Sequence, residues 1–153
     1  MNKTKLLRAR GLWLMACGLL WLSPLSSNAQ KLKQRMAEEA AATFDYPRMA
    51  AIYEDITTSG KATPEDWRRL AFAYKRMEQP LKAEAAYKQM ANMGPLGKDD
   101  LLSYADVLRG NGHYGEAIAQ YQQLAAADPE NTRVKSYVQQ ADFFMRLKRD
   151  STR

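Results

Sequence analysis

Apolar positions between residues 64 and 129 follow two nested periods. The short one is helical. Trp67, Leu70, Ala71 and Tyr74 are spaced i, i+3, i+4, i+7, and so are Leu101, Tyr104, Ala105 and Leu108. That spacing lines one face of an α-helix. Ala83, Tyr87 and Met90 mark a second helix after the first set, and Ala117, Tyr121 and Leu124 one after the second. The long period is 34 residues. It carries Trp67 onto Leu101, Leu70 onto Tyr104, Ala71 onto Ala105, Tyr74 onto Leu108, Ala83 onto Ala117, Tyr87 onto Tyr121, Met90 onto Leu124 and Pro95 onto Pro129, without a gap. Tyr53 falls one further period upstream of Tyr87. A fixed period of this length predicts stacked helix-turn-helix units, an all-α solenoid.

The punctuation agrees with the periodicity. Glu78-Gln79-Pro80 separates the two helices of the middle unit, with Pro80 suited to the opening turn of the second. Thr63 is placed to cap a helix opening at Pro64, with Asp66 three residues on completing a capping arrangement. Small Ala71, Ala83, Ala105 and Ala117 mark close helix approach, and bulky Trp67, Tyr74, Tyr87 and Tyr121 fill the space beside them. Pro95 and Pro129 end the second helices. An earlier, degenerate unit spans 30–63: Met36, Ala37 and Ala40 mark its first helix, Met49 stands where alanine is expected, and Tyr53 and Ile56 keep the frame. Thr57-Thr58-Ser59-Gly60 makes its closing turn. After Pro129, the set Val134, Tyr137, Val138, Ala141, Phe144 and Met145 predicts a terminal helix over 132–149, with Asp128 or Asn131 as its cap. Such a helix covers the exposed face of the last unit. Phe143 and Phe144 cannot both face inward, so one is expected outside, either packed against another subunit or a following domain or, more simply, partly shielded by Tyr137 and neighbouring long side chains.

This arrangement of a large residue, leucine, a small residue and an aromatic, then alanine, aromatic, apolar and proline, resembles the tetratricopeptide repeat. Residues 64–97 match it almost completely and 98–131 match it well. The resemblance implies a non-catalytic protein-protein interaction module whose concave groove is lined by the outer side of each first helix. Carried over residue by residue, the partner-binding positions are Arg68, Phe72, Lys75, Arg76, Leu102, Asp106 and Arg109, with Lys31, Gln34 and Glu38 from the degenerate copy. Arg68, Phe72, Lys75 and Arg76 lie within two helical turns, so they can share a face. A phenylalanine among cations suits an extended segment carrying an apolar side chain and a carboxylate. The alternative is a solvated charged face with Phe72 packed on its neighbour. The asparagines of the family's carboxylate clamp are missing at the matching positions, so that specificity is not implied.

The first 29 residues read differently. Lys3, Lys5, Arg8 and Arg10 precede an apolar stretch from Gly11 to Leu22, and Ser27 and Ala29 fit a small-x-small cleavage site before Gln30. This is the pattern of an export signal, too short for a comfortable membrane span. Leu14-Met15-Ala16-Cys17 also resembles a lipoprotein box, with Cys17 as the lipidated residue. Removing 1–29 takes four of the 23 basic residues and none of the 17 acids, so the net charge falls from +6 to +2 and Cys17, the single cysteine, is lost. A charge of +2 does not argue for nucleic acid. A chain without cysteine has no disulfide, thiolate metal site or cysteine nucleophile. About 120 residues support one modest core.

Candidate chemistry is sparse. Gly110-Asn111-Gly112-His113-Tyr114-Gly115 spells G-x-G-x-x-G, but a dinucleotide site needs a preceding strand, and here a helical face precedes it. His113 is the single histidine, expected in a solvent-facing turn with no further histidine or cysteine to complete a metal site. No acid-base constellation points to an enzyme or to a cofactor. A second likeness concerns Asn28-Ala29-Gln30 and the stretch from Leu102 through Leu108 to Tyr114-Gly115-Glu116-Ala117. These resemble the N-terminal repeat module of Bacteroidetes OmpA-family envelope proteins, some of which serve type IX secretion. A peptidoglycan-binding domain follows the repeats there and is not found in these 153 residues. The chain is therefore expected to be a stand-alone relative or a truncated piece, periplasmic or associated with the outer membrane, acting as an envelope adaptor or as a self-associating, homo-oligomeric scaffold.

Overall fold

A computed structural model of the chain describes residues 23–151. The basic start, the apolar run and Cys17 lie outside the described residues. Seven α-helices follow in order: α1 (Ser23–Ala42), α2 (Tyr46–Thr58), α3 (Pro64–Arg76), α4 (Pro80–Met93), α5 (Lys98–Gly110), α6 (Tyr114–Ala127) and α7 (Thr132–Ser151). They pack as the hairpins α1/α2, α3/α4 and α5/α6, each on the next, with α7 against α6. No strand occurs among the described residues.

Packing follows the pattern of small and large residues. Ala71, Ala83, Ala105 and Ala117 are fully buried, which lets the helix backbones approach closely. Tyr121 fills the space beside Ala117 and is itself fully buried. Tyr87 stacks on Tyr104 across the α4–α5 boundary, with centroids 5.6 Å apart, and Tyr121 lies 5.5 Å from Tyr137 of α7. Met49 is completely buried where the other copies have alanine. Trp67 is only partly buried against the core.

The three hairpin turns share one backbone device. Asp45 N–H donates to Ala40 O (2.8 Å), Gln79 N–H to Tyr74 O (2.9 Å) and His113 N–H to Leu108 O (2.8 Å). Inside each, Phe44 N–H donates to Ala41 O, Glu78 N–H to Lys75 O and Gly112 N–H to Arg109 O. This pair of bonds is the Schellman motif, which holds one residue in the left-handed region. That residue is Phe44 (φ 60°), Glu78 (φ 55°) and Gly112 (φ 78°) in turn. Glycine meets the demand without strain in one copy out of three.

The helix starts are locally specified. At α3, Thr63 Oγ1 accepts from Asp66 N–H (3.3 Å) and Asp66 Oδ2 accepts from Thr63 N–H (2.9 Å), a closed capping box ahead of Pro64. Pro80 opens α4, and Asp45 caps α2 through Arg48 N–H (3.1 Å). Asp128, expected as a cap for α7, pairs with Lys98 at 3.2 Å instead, linking the start of α5 to the α6–α7 turn.

Two expectations need correction. Met36 stays 38% exposed, so buried Ala37 and Ala40, with partly buried Ala41, carry the inner face of α1. Both Phe143 and Phe144 are exposed, at 57% and 41%, and Met145 and Leu147 with them. The buried stripe of α7 ends at Ala141, and beyond it the helix still meets the α5–α6 turn through its rim, where Lys148 donates to Gly112 O at 3.1 Å. Tyr137 stacks inward on Tyr121 rather than shielding the phenylalanines. Phe144 leans on Tyr114 instead, 5.8 Å away.

Candidate functional site

Helices α1, α3 and α5 come first in their hairpins, and the residues expected on the groove face lie along them. Phe72 forms the midline of α3 with cations on both sides. Toward α5 lies Arg68. Its Nε and Nη2 donate to the two carboxylate oxygens of Asp100 at 2.7 and 2.8 Å, and its Nη1 to Glu65. Asp100 is 7% exposed, and its bonds hold the Arg68 guanidinium protonated, well above its ordinary value. Toward α1 and α2 lie Arg69 and Arg76. Arg69 reaches Glu65 (2.8 Å) and Glu38 (3.5 Å). Arg76 stands 5.1 Å over the ring of Tyr46.

Arg68 is therefore a brace between repeats, which the sequence alone did not reveal. Its partner lies 32 residues along, and one copy upstream the same separation joins Gln34 Nε2 to Asp66 Oδ1 at 2.7 Å. Gln30 adds a second bond to Asp66, at 3.2 Å. In each case the first helix of one repeat donates to the buried carboxylate that opens the next. The third copy has an apolar pair at this spacing, half-buried Leu102 and buried Val134. Gln34, Arg68 and Leu102 thus hold the array together.

Glu38 and Asp106 are engaged too. Glu38 accepts from the Tyr53 hydroxyl at 3.3 Å and Asp106 from the Tyr121 hydroxyl at 2.6 Å. Arg109 Nε donates to the same Tyr121 oxygen at 3.3 Å, and that bond raises its affinity for the proton. Burial, with the bond to Asp106 adding to it, pushes the Tyr121 phenol up to about 12. The equivalent position in the middle repeat is Phe72, 43% exposed. With no carboxylate there, Tyr87 shares a cleft with Ser103 of α5, and burial raises its phenol above the ordinary value.

Two clefts open between α3 and α5. One, of about 300 Å³, is bounded by Arg68, Phe72, Tyr87, Asp100 and Ser103. The other, of about 320 Å³, is bounded by Lys75, Glu78, Pro80, Asp106, Val107 and Gly110. Lys75 and Arg76 form no ion pair among the described residues. Lys31 is exposed on α1. Of the residues expected to bind a partner, Lys31, Phe72, Lys75 and Arg76 are therefore exposed, and none of the three cations forms an ion pair among the described residues. Arg68 ties α3 to α5, half-buried Leu102 packs on the core, and Asp106 and Arg109 hold Tyr121 of their own hairpin.

Two residues were missed at the sequence level. Phe44 and Tyr46, in the α1–α2 turn, extend the exposed surface around Phe72. Tyr46 meets Phe72 edge-on at 5.9 Å and Phe44 at 6.3 Å. The signal was the 34-residue register itself, which sets Phe44 against Glu78 and Gly112.

The glycine-rich stretch is a helix-to-helix turn, as its context required. It also clips repeats together: Asn111 Nδ2 donates to Glu84 (2.6 Å) and Pro80 O (3.1 Å), and His113 Nδ1 lies 2.9 Å from Glu84. Among the described residues no cluster of three or more His, Cys, Asp or Glu side chains is placed to hold a metal, and no helix is long and apolar enough to cross a membrane.

No family model matches the chain, and no curated protein does. Among solved structures it is similar to the crystal structure of the P58(IPK) TPR domain, with a TM-score of 0.60 at 18% identity. The match covers 82% of this chain and 36% of that one, so the chain spans about a third of that structure's length. The helical hairpins, their 34-residue register and this likeness make the fold that of a tetratricopeptide repeat array.

Proposed function

We propose that this chain is a non-catalytic adaptor or assembly factor, exported by its first 29 residues, that holds an extended segment of a partner protein on the face of α1, α3 and α5 in a bacterial envelope complex. Residues 30–63, 64–97 and 98–131 are its repeats and 132–149 its terminal helix. The observation that carries the reading is the uncommitted stripe of α3: Phe72 is exposed and Lys75 and Arg76 form no ion pair among the described residues, while Arg68 is held by Asp100 and Asp106 and Arg109 by Tyr121. Stacked helices pre-organise the receptor, so ordering entropy falls mainly on the partner. The leader and the OmpA-type likeness support the envelope location.

The test is crosslinking of the tagged full-length protein in its native envelope, beside a Lys75→Glu/Arg76→Glu variant that leaves the Arg68–Asp100 brace intact. A partner captured by the wild type and lost in the variant supports the adaptor. Capture that ignores the variant refutes the stripe as the site.

A second reading, a self-associating scaffold, is favoured by the exposed Phe143 and Leu147 on α7. Sedimentation that depends on concentration and is abolished by Phe143→Asp would favour it over the adaptor.

A further inference from the structure

Two phenylalanines break the repeat's own rules, and both breaks meet at one ring. The left-handed turn position holds Gly112 in the third copy, where no Cβ strain arises, and exposed Glu78 in the second. The first copy puts Phe44 there, at φ 60° and 73% exposed. A bulky residue in the left-handed region is strained, and this one buries little to compensate. Four residues into the outer stripe of α3 comes the second break. Its equivalents, Glu38 and Asp106, bind the tyrosine hydroxyl 15 residues on. In the middle copy that carboxylate is replaced by exposed Phe72. Neither phenylalanine is required by the fold, since other copies manage with glycine, glutamate or aspartate.

The two rings converge. Phe44 and Phe72 each set an edge against Tyr46, at interplanar angles of 67° and 75°. The result is a short aromatic ladder from the α1–α2 turn to the middle of α3. Arg76 lies with its guanidinium over the Tyr46 face. Stacked so, a guanidinium keeps its edge N–H groups free for a carboxylate. Lys75 is the adjacent residue.

Resting on the peptide-binding reading above, we infer that Phe44, Tyr46 and Phe72, with Arg76 and Lys75 beside them, form the specificity pocket of that surface. Its occupant is an acidic peptide segment that presents an aromatic or branched aliphatic side chain within a residue or two of a carboxylate. The apolar side chain packs across the ladder, and the carboxylate meets the Arg76 edge and the Lys75 ammonium. Charge complementarity commits the occupant to an acid: Arg76 and Lys75 form no ion pair among the described residues, Arg76 lying over Tyr46 and Lys75 on the rim of the α3–α5 cleft that Glu78 and Asp106 also line. Burying exposed aromatic surface beside an arginine is a usual makeup of an interface anchor.

The experiment pans a random peptide display library on the full chain, then measures the enriched peptides, synthesised with a fluorophore, by polarisation. The variants are Phe44→Gly, Arg76→Glu and, as a control for the lost positive charge, Lys135→Glu on the exposed side of α7. Phe44→Gly places the residue that the third copy already uses, so its folding is preserved, and circular dichroism verifies this. The expected result is enrichment of segments joining Phe, Tyr, Leu or Ile to Asp or Glu. Their affinity should fall by about tenfold or more in both Phe44→Gly and Arg76→Glu and stay unchanged in Lys135→Glu. Enriched peptides that lose affinity on Lys75→Glu or Phe72→Ala but ignore Phe44→Gly would overturn the pocket and leave the α3 surface standing. Enriched peptides lacking acids would overturn it as well. A library that yields no binder would overturn both the pocket and the peptide-binding surface.

Discussion

Glu78→Gly should make the protein more stable, although it introduces the residue with the greatest unfolded-state freedom. Glu78 holds the left-handed position of the α3–α4 Schellman turn at φ 55°, and its side chain is exposed. An L-residue with a Cβ costs roughly 1–2 kcal/mol there. Glycine removes that strain and gives back about 0.5–1 kcal/mol through the entropy of the unfolded chain. The net is a gain of about 0.5–1 kcal/mol, which raises Tm by roughly 2–5 °C for a domain of this size. Glu78→Ala is the control: it removes the same carboxylate but keeps the Cβ, and should fall within about 0.5 kcal/mol of the wild type. The converse change, Gly112→Ala, should destabilise by about the same 0.5–1 kcal/mol. A Cβ there would meet only Lys148 Nζ at 3.6 Å, an ordinary contact, so the effect reports the backbone alone. The assay is urea unfolding followed by circular dichroism, with the midpoint compared at constant slope. If Glu78→Gly is no more stable than Glu78→Ala, the left-handed position carries no strain and the reasoning fails, along with the strain argument for Phe44.

Asp66→Ala should cost about 2 kcal/mol, more than the roughly 1 kcal/mol of Thr63→Ala, because it removes the capping box and also orphans Gln34 and Gln30; equal losses in urea unfolding would deny the inter-repeat brace. Ala117→Leu, at a fully buried close approach of α5 and α6, should cost about 1–3 kcal/mol by overpacking, read as a lower Tm; a neutral outcome would mean the hairpin is loosely packed. Stability should be flat up to about pH 10 and fall as pH rises toward 12, since the folded-state phenol of Tyr121 sits above its unfolded value and the neutral form is the one that folding favours. Tyr121→Phe should reduce that slope by at most about 1.4 kcal/mol per pH unit; an unchanged alkaline profile would remove Tyr121 from the account.

Helix spacing, alanine and tyrosine placement and the turn prolines are local properties, so residues 64–131 could be read in the chain as two complete hairpins and residues 30–63 as a weaker third. A helical face depends on neighbours three and four residues away, and that information is contiguous in sequence. The capping box at Thr63 and Asp66 was legible for the same reason. The face expected to bind was legible only as a face. Which of its cations are free depends on carboxylates 32 residues away, brought near by the stacking of one hairpin on the next: Asp100 takes Arg68, and among the described residues no acid forms an ion pair with Lys75 or Arg76. Periodicity says that Phe44 is equivalent to Gly112, but the three-dimensional packing puts it against Tyr46, whose ring also meets Phe72. The setting of Phe143 and Phe144 is likewise a matter of how α7 lies across α6, which puts Phe144 against Tyr114 and leaves Phe143 more exposed. Thus the amino-acid order established the repeat, its helices and its turns, because those rest on short-range sterics and hydrophobic period. The partition of the surface into bracing and accessible residues came from the superhelical offset between repeats, which no single helix encodes.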